Sequence, residues 1–145
     1  MAGLIDVLLR GLILVSGSLA LGGIAWTRLV LRAEPHAKPD ADSRRALRVV
    51  AAAAGVGAAA QAAVGLVALR TLVEEAGGWP VAEFAGTTFA QATIVRIGLG
   101  LALGALALLL ALRPGGRRAW LAAIACAVGL VATSALLSHA VARLD

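Results

Sequence analysis

Aromatic, sulfur-containing and histidine side chains are scarce in this 145-residue chain. Aromatic residues make up 3% of it, tyrosine is absent, and there are one cysteine, one methionine and two histidines. The single cysteine, Cys126, cannot form an internal disulfide, so the fold does not depend on the redox compartment. The net charge of +5 is carried by basic residues in short loops with almost no aromatic neighbours, which argues against a nucleic-acid-binding surface.

The common catalytic motifs are also absent from the sequence. It contains no phosphate-binding glycine loop, no CxxC, no HExxH and no serine elbow. It also lacks the pair of intramembrane histidines at matched depth that a b-type haem would need within one chain. We therefore expect a protein that is not an enzyme.

Charge is scarce as well, and this decides the protein class. Only 14% of the residues are charged, whereas 61% are hydrophobic. A soluble domain of this length could not remain in solution with that composition, so the chain is predicted to be an integral membrane protein whose main partner is the lipid bilayer. The length corresponds to one domain, residues 1–145.

Four long apolar segments predict an all-α, four-helix transmembrane bundle, with helices at about 7–31, 47–72, 89–112 and 119–142. The third segment carries one arginine, Arg96, followed by sixteen uncharged residues. A charged side chain in lipid is costly, so Arg96 should face other helices, water or an acidic partner. Ser43 or Asp42 is expected to cap the second helix.

A cleaved signal peptide is the alternative interpretation of the first segment. It would need basic residues before the apolar core and a small-residue cleavage site after it. Asp6 and Arg10 precede the segment, and Trp26, Thr27 and Arg28 follow it, so a retained helix is favoured.

Small or polar residues recur every four positions and predict close helix contacts. Gln61, which lies near mid-membrane between two glycines, is expected to hydrogen-bond across such a contact. The three faces are Ser18, Gly22 and Trp26 on the first helix, Gly57, Gln61 and Gly65 on the second, and Gly100 with Gly104 on the third.

Basic residues are distributed unequally between the two sides of the predicted bundle. The side holding the first and third loops has nine, and the other side has four. By the positive-inside rule, both termini and the acidic 74–83 loop face outward, into the periplasm if the source is a Gram-negative bacterium. The nine are Arg28, Arg32, Lys38, Arg44, Arg45, Arg48, Arg113, Arg117 and Arg118.

This orientation places several polar side chains at similar depth near the outer side, where they can line one shared cavity. Arg96 can attract an anion there, or form an ion pair with Glu83, Glu74 or Asp6. The full set is Arg10, Arg70, Gln91, Thr93, Arg96, Ser138 and His139.

His139 is the candidate metal contact, because imidazole suits copper or zinc and titrates near neutral pH. The alternative is an interfacial histidine bonded to a serine or a backbone carbonyl. Cys126 fits a small core residue better than a copper ligand. His36, in the inner loop, is expected to be solvated.

Two segments resemble a known family. TTFAQATIVR opens the third helix, and the fourth helix closes in Ser138-His139-Ala140. Together with the arginine-rich turn between them, they resemble the amino-terminal half of the CopD family of bacterial copper-resistance membrane proteins, which has T-x-F-G-x-x-x-x-R and then Gly-His-Ala or Ser-His-Ala. Ala90 stands where the family has glycine.

The resemblance implies an inner-membrane protein that moves copper from periplasm to cytoplasm, with His139 handling the metal and a periplasmic partner of the CopC type. Members usually continue into about four more helices. We therefore expect this four-helix unit to assemble as a homodimer or with a second membrane subunit. The single methionine departs from the several soft ligands expected along a Cu(I) path.

Two other functions remain open from the sequence. One is a small haem-linked membrane oxidoreductase of the HemJ type, since the run GGIAWTRLVLRAEPHA resembles the first helix of that family, although no histidine lies within this helix. The other is a structural membrane subunit without a ligand.

Overall fold

A computed structural model describes the backbone of residues 2–31, 38–113 and 116–141, and their side chains except for residues 2, 75, 76 and 135–141. Within these ranges the chain is helical and has no strand. Four helices are long and apolar enough to cross a membrane, which confirms the predicted all-α transmembrane four-helix bundle. The helices are α1 (Ala2–Ala25), α2 (Ala41–Ala76), α3 (Val81–Gly86), α4 (Thr88–Leu112) and α5 (Arg117–Val141).

The helix bounds differ from the sequence prediction mainly in α1, which begins at Ala2 rather than near residue 7, and in α2, which is longer at both ends. A π-helical segment, Trp26–Val30, continues α1, and the short helix α3 lies between α2 and α4, where the sequence predicted no helix. Helix α2 begins at Ala41, six residues before the predicted start, and is capped by Asp40, whose Oδ1 accepts a hydrogen bond of 2.8 Å from the Ser43 backbone N–H. The prediction of Ser43 or Asp42 as the cap is wrong, because a capping side chain must precede the first turn.

Neighbouring long helices run antiparallel and surround a common centre in the order α1, α2, α4, α5. Contacts between α1 and α5 are sparser than those of the other three neighbouring pairs. We use "basic end" for the end of the bundle where α1 and α4 finish and α2 and α5 begin, and "opposite end" for the end that holds α3, where α1 begins and α5 finishes.

Small residues let α4 approach α2 closely. A Cβ atom added at Gly100 would lie 3.3 Å from the backbone oxygen of Ala54, and one at Gly104 would lie 3.4 Å from that of Ala51. On the other side of α2, the corresponding position at Gly57 is 3.2 Å from the Ser16 Cβ. These contacts confirm the predicted packing faces of α2 and α4.

The face predicted for α1 is wrong. Trp26 is 54% exposed, and a Cβ atom at Gly22 would meet nothing within 4 Å. The buried side of α1 instead carries Ser16, Ala20 and Ile24. Both stripes repeat every four residues, so their spacing could not indicate which one packs against α2.

The apolar core occupies the half of the bundle nearer the basic end. Its fully buried residues include Leu47, Val50, Leu103 and Ala123. Trp120 belongs to the same cluster and is also buried. The Arg28 guanidinium carbon lies 5.8 Å from the centroid of the Trp120 ring, so a cation–π contact holds the end of α1 to the start of α5. The polar interior residues lie further toward the opposite end.

Candidate functional site: a polar cavity within the membrane bundle

A cavity of about 210 Å³ lies between the four long helices, and each of them contributes to its wall. Much of the wall is apolar or formed by small residues. The cavity is partly open, and its rim includes Leu14 of α1 and Val131 of α5, which are 66% and 50% exposed. This opening lies where α1 and α5 pack most sparsely. The polar side chains in the wall are Ser16, Ser18, Gln61, Arg96 and Ser134.

Arg96 supplies the positive charge of the cavity. Its Nη2 donates a hydrogen bond of 3.0 Å to Ser134 Oγ on α5, and that hydroxyl donates in turn to the Leu130 carbonyl at 2.7 Å. The hydroxyl therefore both donates and accepts, and it positions the guanidinium against α5.

No carboxylate pairs with Arg96 among the side chains that the structure describes. The ion pair found there joins Arg10 to Asp6, at 2.7 Å within α1. The prediction of an ion pair between Arg96 and Glu83, Glu74 or Asp6 is therefore wrong. About two turns of α4 lie between its first residue, Thr88, and Arg96, which keeps the guanidinium below the level of the acidic loop.

Gln61 is the second notable group in the wall. It is 4% exposed, and its Nε2 donates a hydrogen bond of 3.3 Å to Thr93 Oγ1 on α4. This confirms the predicted hydrogen bond across a close helix contact. Gln61 Oε1 is buried and has no partner within the described part of the chain. An unmade hydrogen bond of this kind costs about 1–3 kcal/mol, so a partner for this atom would stabilise the site.

Reversing the Gln61 amide would not remove this deficit. Thr93 Oγ1 would then donate to Oε1, and the NH2 group would be left without a partner. In either orientation, one polar group of the buried Gln61 amide lacks a partner among the described residues.

The residues predicted to form an outer pocket are brought together only in part. Arg96 lines the cavity, and Thr93 is buried beside it against Gln61. Gln91, Arg10 and Arg70 are exposed and do not line the cavity.

Two further predicted site residues, Ser138 and His139, belong to the backbone of α5, but their side chains lie outside the described residues. His36, in the first loop, lies outside them entirely. The assignment of His139 as a metal contact stays a prediction.

Sequence reasoning missed two cavity residues, Ser16 and Ser134. A signal for Ser134 was present, because it precedes Ser138 by four residues and therefore shares its face of α5. Ser16 had a weaker signal, since Ser16, Gly17 and Ser18 are consecutive and only a neighbouring helix decides which of them faces inward.

The residues that carry the family resemblance have local structural roles. Thr87 caps α4: its Oγ1 accepts from the Ala90 backbone N–H at 3.1 Å and donates to the Phe84 carbonyl at 2.7 Å. The Phe84 and Phe89 rings pack edge to face with centroids 6.4 Å apart. Ala90 is 2% exposed, so a small residue is required at the position where the family has glycine.

A preformed multidentate metal site is not seen in the described residues, which hold no group of three or more histidine, cysteine, aspartate or glutamate side chains. Cys126 is half-buried and packs against the apolar core. Its position fits the predicted role of a small packing residue.

Comparison with known proteins gave no family model, no curated protein and no solved structure that matches this chain. The functional assignment therefore depends on the sequence resemblance and on the geometry described above. Both agree with the class that the four apolar helices establish, a multi-pass membrane protein with a bilayer around it.

Proposed function

We propose that this chain is a copper-handling protein of the bacterial inner membrane, similar to the amino-terminal half of the CopD family, with no enzymatic activity of its own. Copper is its substrate. His139, near the outer end of α5, makes the first contact with the metal, because neutral imidazole is a ligand suited to copper.

The observation that carries this proposal is the hydrogen bond between Arg96 and Ser134. The two segments that resemble the family are more than forty residues apart in sequence, yet the antiparallel packing of α4 and α5 brings them together. His139 follows Ser134 by five residues, which is about 7.5 Å along a helix axis, toward the opposite end of the bundle. The arginine and the histidine of the resemblance thus belong to adjoining stretches of one helix pair.

Charge determines how deeply a bare copper cation can enter. Glu74 and Glu83 are exposed at the opposite end and raise the local concentration of cations. Arg96 lies deeper and repels a cation from the cavity. Copper is therefore captured at the mouth of the bundle, above Arg96.

Assembly with a second copy or another membrane subunit follows from the same resemblance, as does a periplasmic partner of the CopC type. The sparse contact between α1 and α5 leaves a seam that a further helix can cover. Native mass spectrometry from mild detergent tests self-assembly. A purely monomeric spectrum at all protein concentrations would argue against the homodimer.

The copper assignment is tested by replacing each histidine separately. His139→Ala should reduce copper bound to the purified protein to background and change cellular copper tolerance, whereas His36→Ala should leave both unchanged. Elemental analysis and growth at equal expression measure the two effects. If His139→Ala retains wild-type copper binding, the assignment fails, and a Soret band in the purified protein would favour the haem-linked alternative.

A further inference from the structure

We infer that the cavity lined by Arg96 and Gln61 binds a small hydroxycarboxylate, an organic acid of a few carbon atoms that carries a hydroxyl group. This site is defined by Arg96, Gln61 and the apolar wall, none of which is the copper contact proposed above. The inference depends on three matched features of the cavity: a cation, an unpaired amide group and apolar walls.

The carboxylate of the ligand matches Arg96. A guanidinium has five N–H donors, and the described structure gives one hydrogen bond from Arg96 to a protein side chain, Ser134. The remaining donors have the fork geometry that suits a carboxylate. A positive charge within the membrane requires compensation, and none of the described carboxylates supplies it.

The hydroxyl group of the ligand matches Gln61. The amide is 96% buried, Thr93 satisfies one side of it, and Oε1 is left without a described partner. A hydroxyl group can donate to the amide oxygen, and it could equally accept from the amide nitrogen if the amide were reversed. This second contact distinguishes a hydroxycarboxylate from a simple carboxylate of the same size.

The remaining wall selects an organic ligand. Ile13, Leu14, Leu130 and Val131 line the cavity together with alanines and glycines. Apolar walls with a few convergent polar groups are typical of small-molecule sites. The volume of about 210 Å³ accommodates a compact ligand of a few carbon atoms. A fully hydrated inorganic anion would leave these walls without apolar contact.

The first test compares ligands on the unmodified full chain in lipid nanodiscs, by isothermal titration calorimetry. L-lactate is the probe, and isobutyrate is its matched control, because a methyl group replaces the hydroxyl at nearly the same volume. L-lactate should bind saturably and roughly tenfold or more tightly than isobutyrate, and neutral isopropanol should not bind. Absence of saturable binding, which would mean that water alone fills the cavity, or equal affinity for the two acids would overturn the inference.

The second test identifies the groups involved. Gln61→Leu should reduce the preference for L-lactate over isobutyrate to within about twofold, since only the hydroxyl contact is removed. Arg96→Gln should weaken both acids by about tenfold or more. Gln91→Leu, at an exposed glutamine of α4, is the control and should change neither. If the preference survives Gln61→Leu in a variant with wild-type helicity, the site is not the one inferred. If a variant does not fold, the ligand comparison on the unmodified chain decides the question.

Discussion

Arg96 Nη2 of α4 and Ser134 Oγ of α5 lie 3.0 Å apart and join two helices across the half of the bundle that lacks an apolar core. The contact links the helix pair that carries the family resemblance. It also fixes the position of the basic side chain found among the described residues of the cavity wall.

Removing the hydroxyl that holds Arg96 should destabilise the bundle. Ser134→Ala leaves the guanidinium without its described partner, and hydrogen bonds to charged groups or between membrane helices contribute about 1–2 kcal/mol. Unfolding by SDS in mixed micelles, followed by circular dichroism, measures the loss. Thr133→Val is the control, because the Thr133 hydroxyl donates only to carbonyls of its own helix. Equal stability of the two variants would mean that the contact with Arg96 contributes nothing.

The stability losses caused by replacing Gln61 and Thr93, which share a hydrogen bond, should be strongly non-additive. Thr93→Val alone leaves the buried Gln61 amide with no partner on either side, which should cost about 1–3 kcal/mol. Adding Gln61→Leu replaces both polar partners with apolar groups of similar shape, so the double variant should recover most of that loss. The same unfolding assay on the wild type, the two single variants and the double variant gives the coupling free energy between Gln61 and Thr93. Additive losses would contradict this description of the pair.

Gly100 should tolerate no larger side chain. A Cβ atom there would already lie 3.3 Å from the Ala54 carbonyl oxygen, so Gly100→Val must separate α2 from α4 and should cost about 1–3 kcal/mol. Gly98→Val is the matched control on the same helix, since nothing lies within 4 Å of its Cβ position. A similar loss from both changes would indicate helix propensity rather than packing.

The Asp40 cap of α2 should make the stability of the folded bundle fall at low pH. The side-chain and backbone hydrogen bonds with Ser43 lower the pKa of Asp40 below its usual value of 3.8. The ionised carboxylate is therefore favoured in the folded state, so its contribution is complete above pH 3.8 and is lost as the pH falls through the lowered pKa.

Asp40→Asn separates this effect from other acid effects, because asparagine can also cap a helix but does not titrate in this range. Thermal unfolding at several pH values should show a stability difference between the wild type and Asp40→Asn that shrinks as the pH is lowered below 3.8. A difference that is constant with pH would contradict the role assigned to Asp40.

The orientation predicted from charge can be tested with single cysteines. In a Cys126→Ala background, Glu83→Cys should react with a membrane-impermeant maleimide added outside intact spheroplasts, whereas Lys38→Cys should react only after lysis. Both positions are exposed, and they lie at opposite ends of the bundle. The reverse pattern would mean that the termini face the cytoplasm, and it would also remove the proposed outer location of His139.

Composition and hydrophobic length were sufficient to predict the class and the number of long helices in this protein. Four apolar segments of this length can satisfy their backbone hydrogen bonds in a bilayer only as helices, so no tertiary information was needed. Gln61 and the Gly100–Gly104 pair were also identified correctly as contact residues. A polar side chain is costly when it faces lipid, and small residues allow two helices to approach closely.

Tertiary structure alone decided which of these groups meet. The spacing on α1 allowed two stripes, and packing against α2 selected the one with Ser16 and exposed the one with Trp26. The sequence left either an anion or an acidic residue as the partner of Arg96, whereas the register of α4 against α5 placed Ser134 beside it. Sequence periodicity reports the face and depth of a residue within its own helix. Rotation and register between helices arise from the packing of all four, so the cavity and its unpaired Gln61 amide group are visible only in the folded bundle.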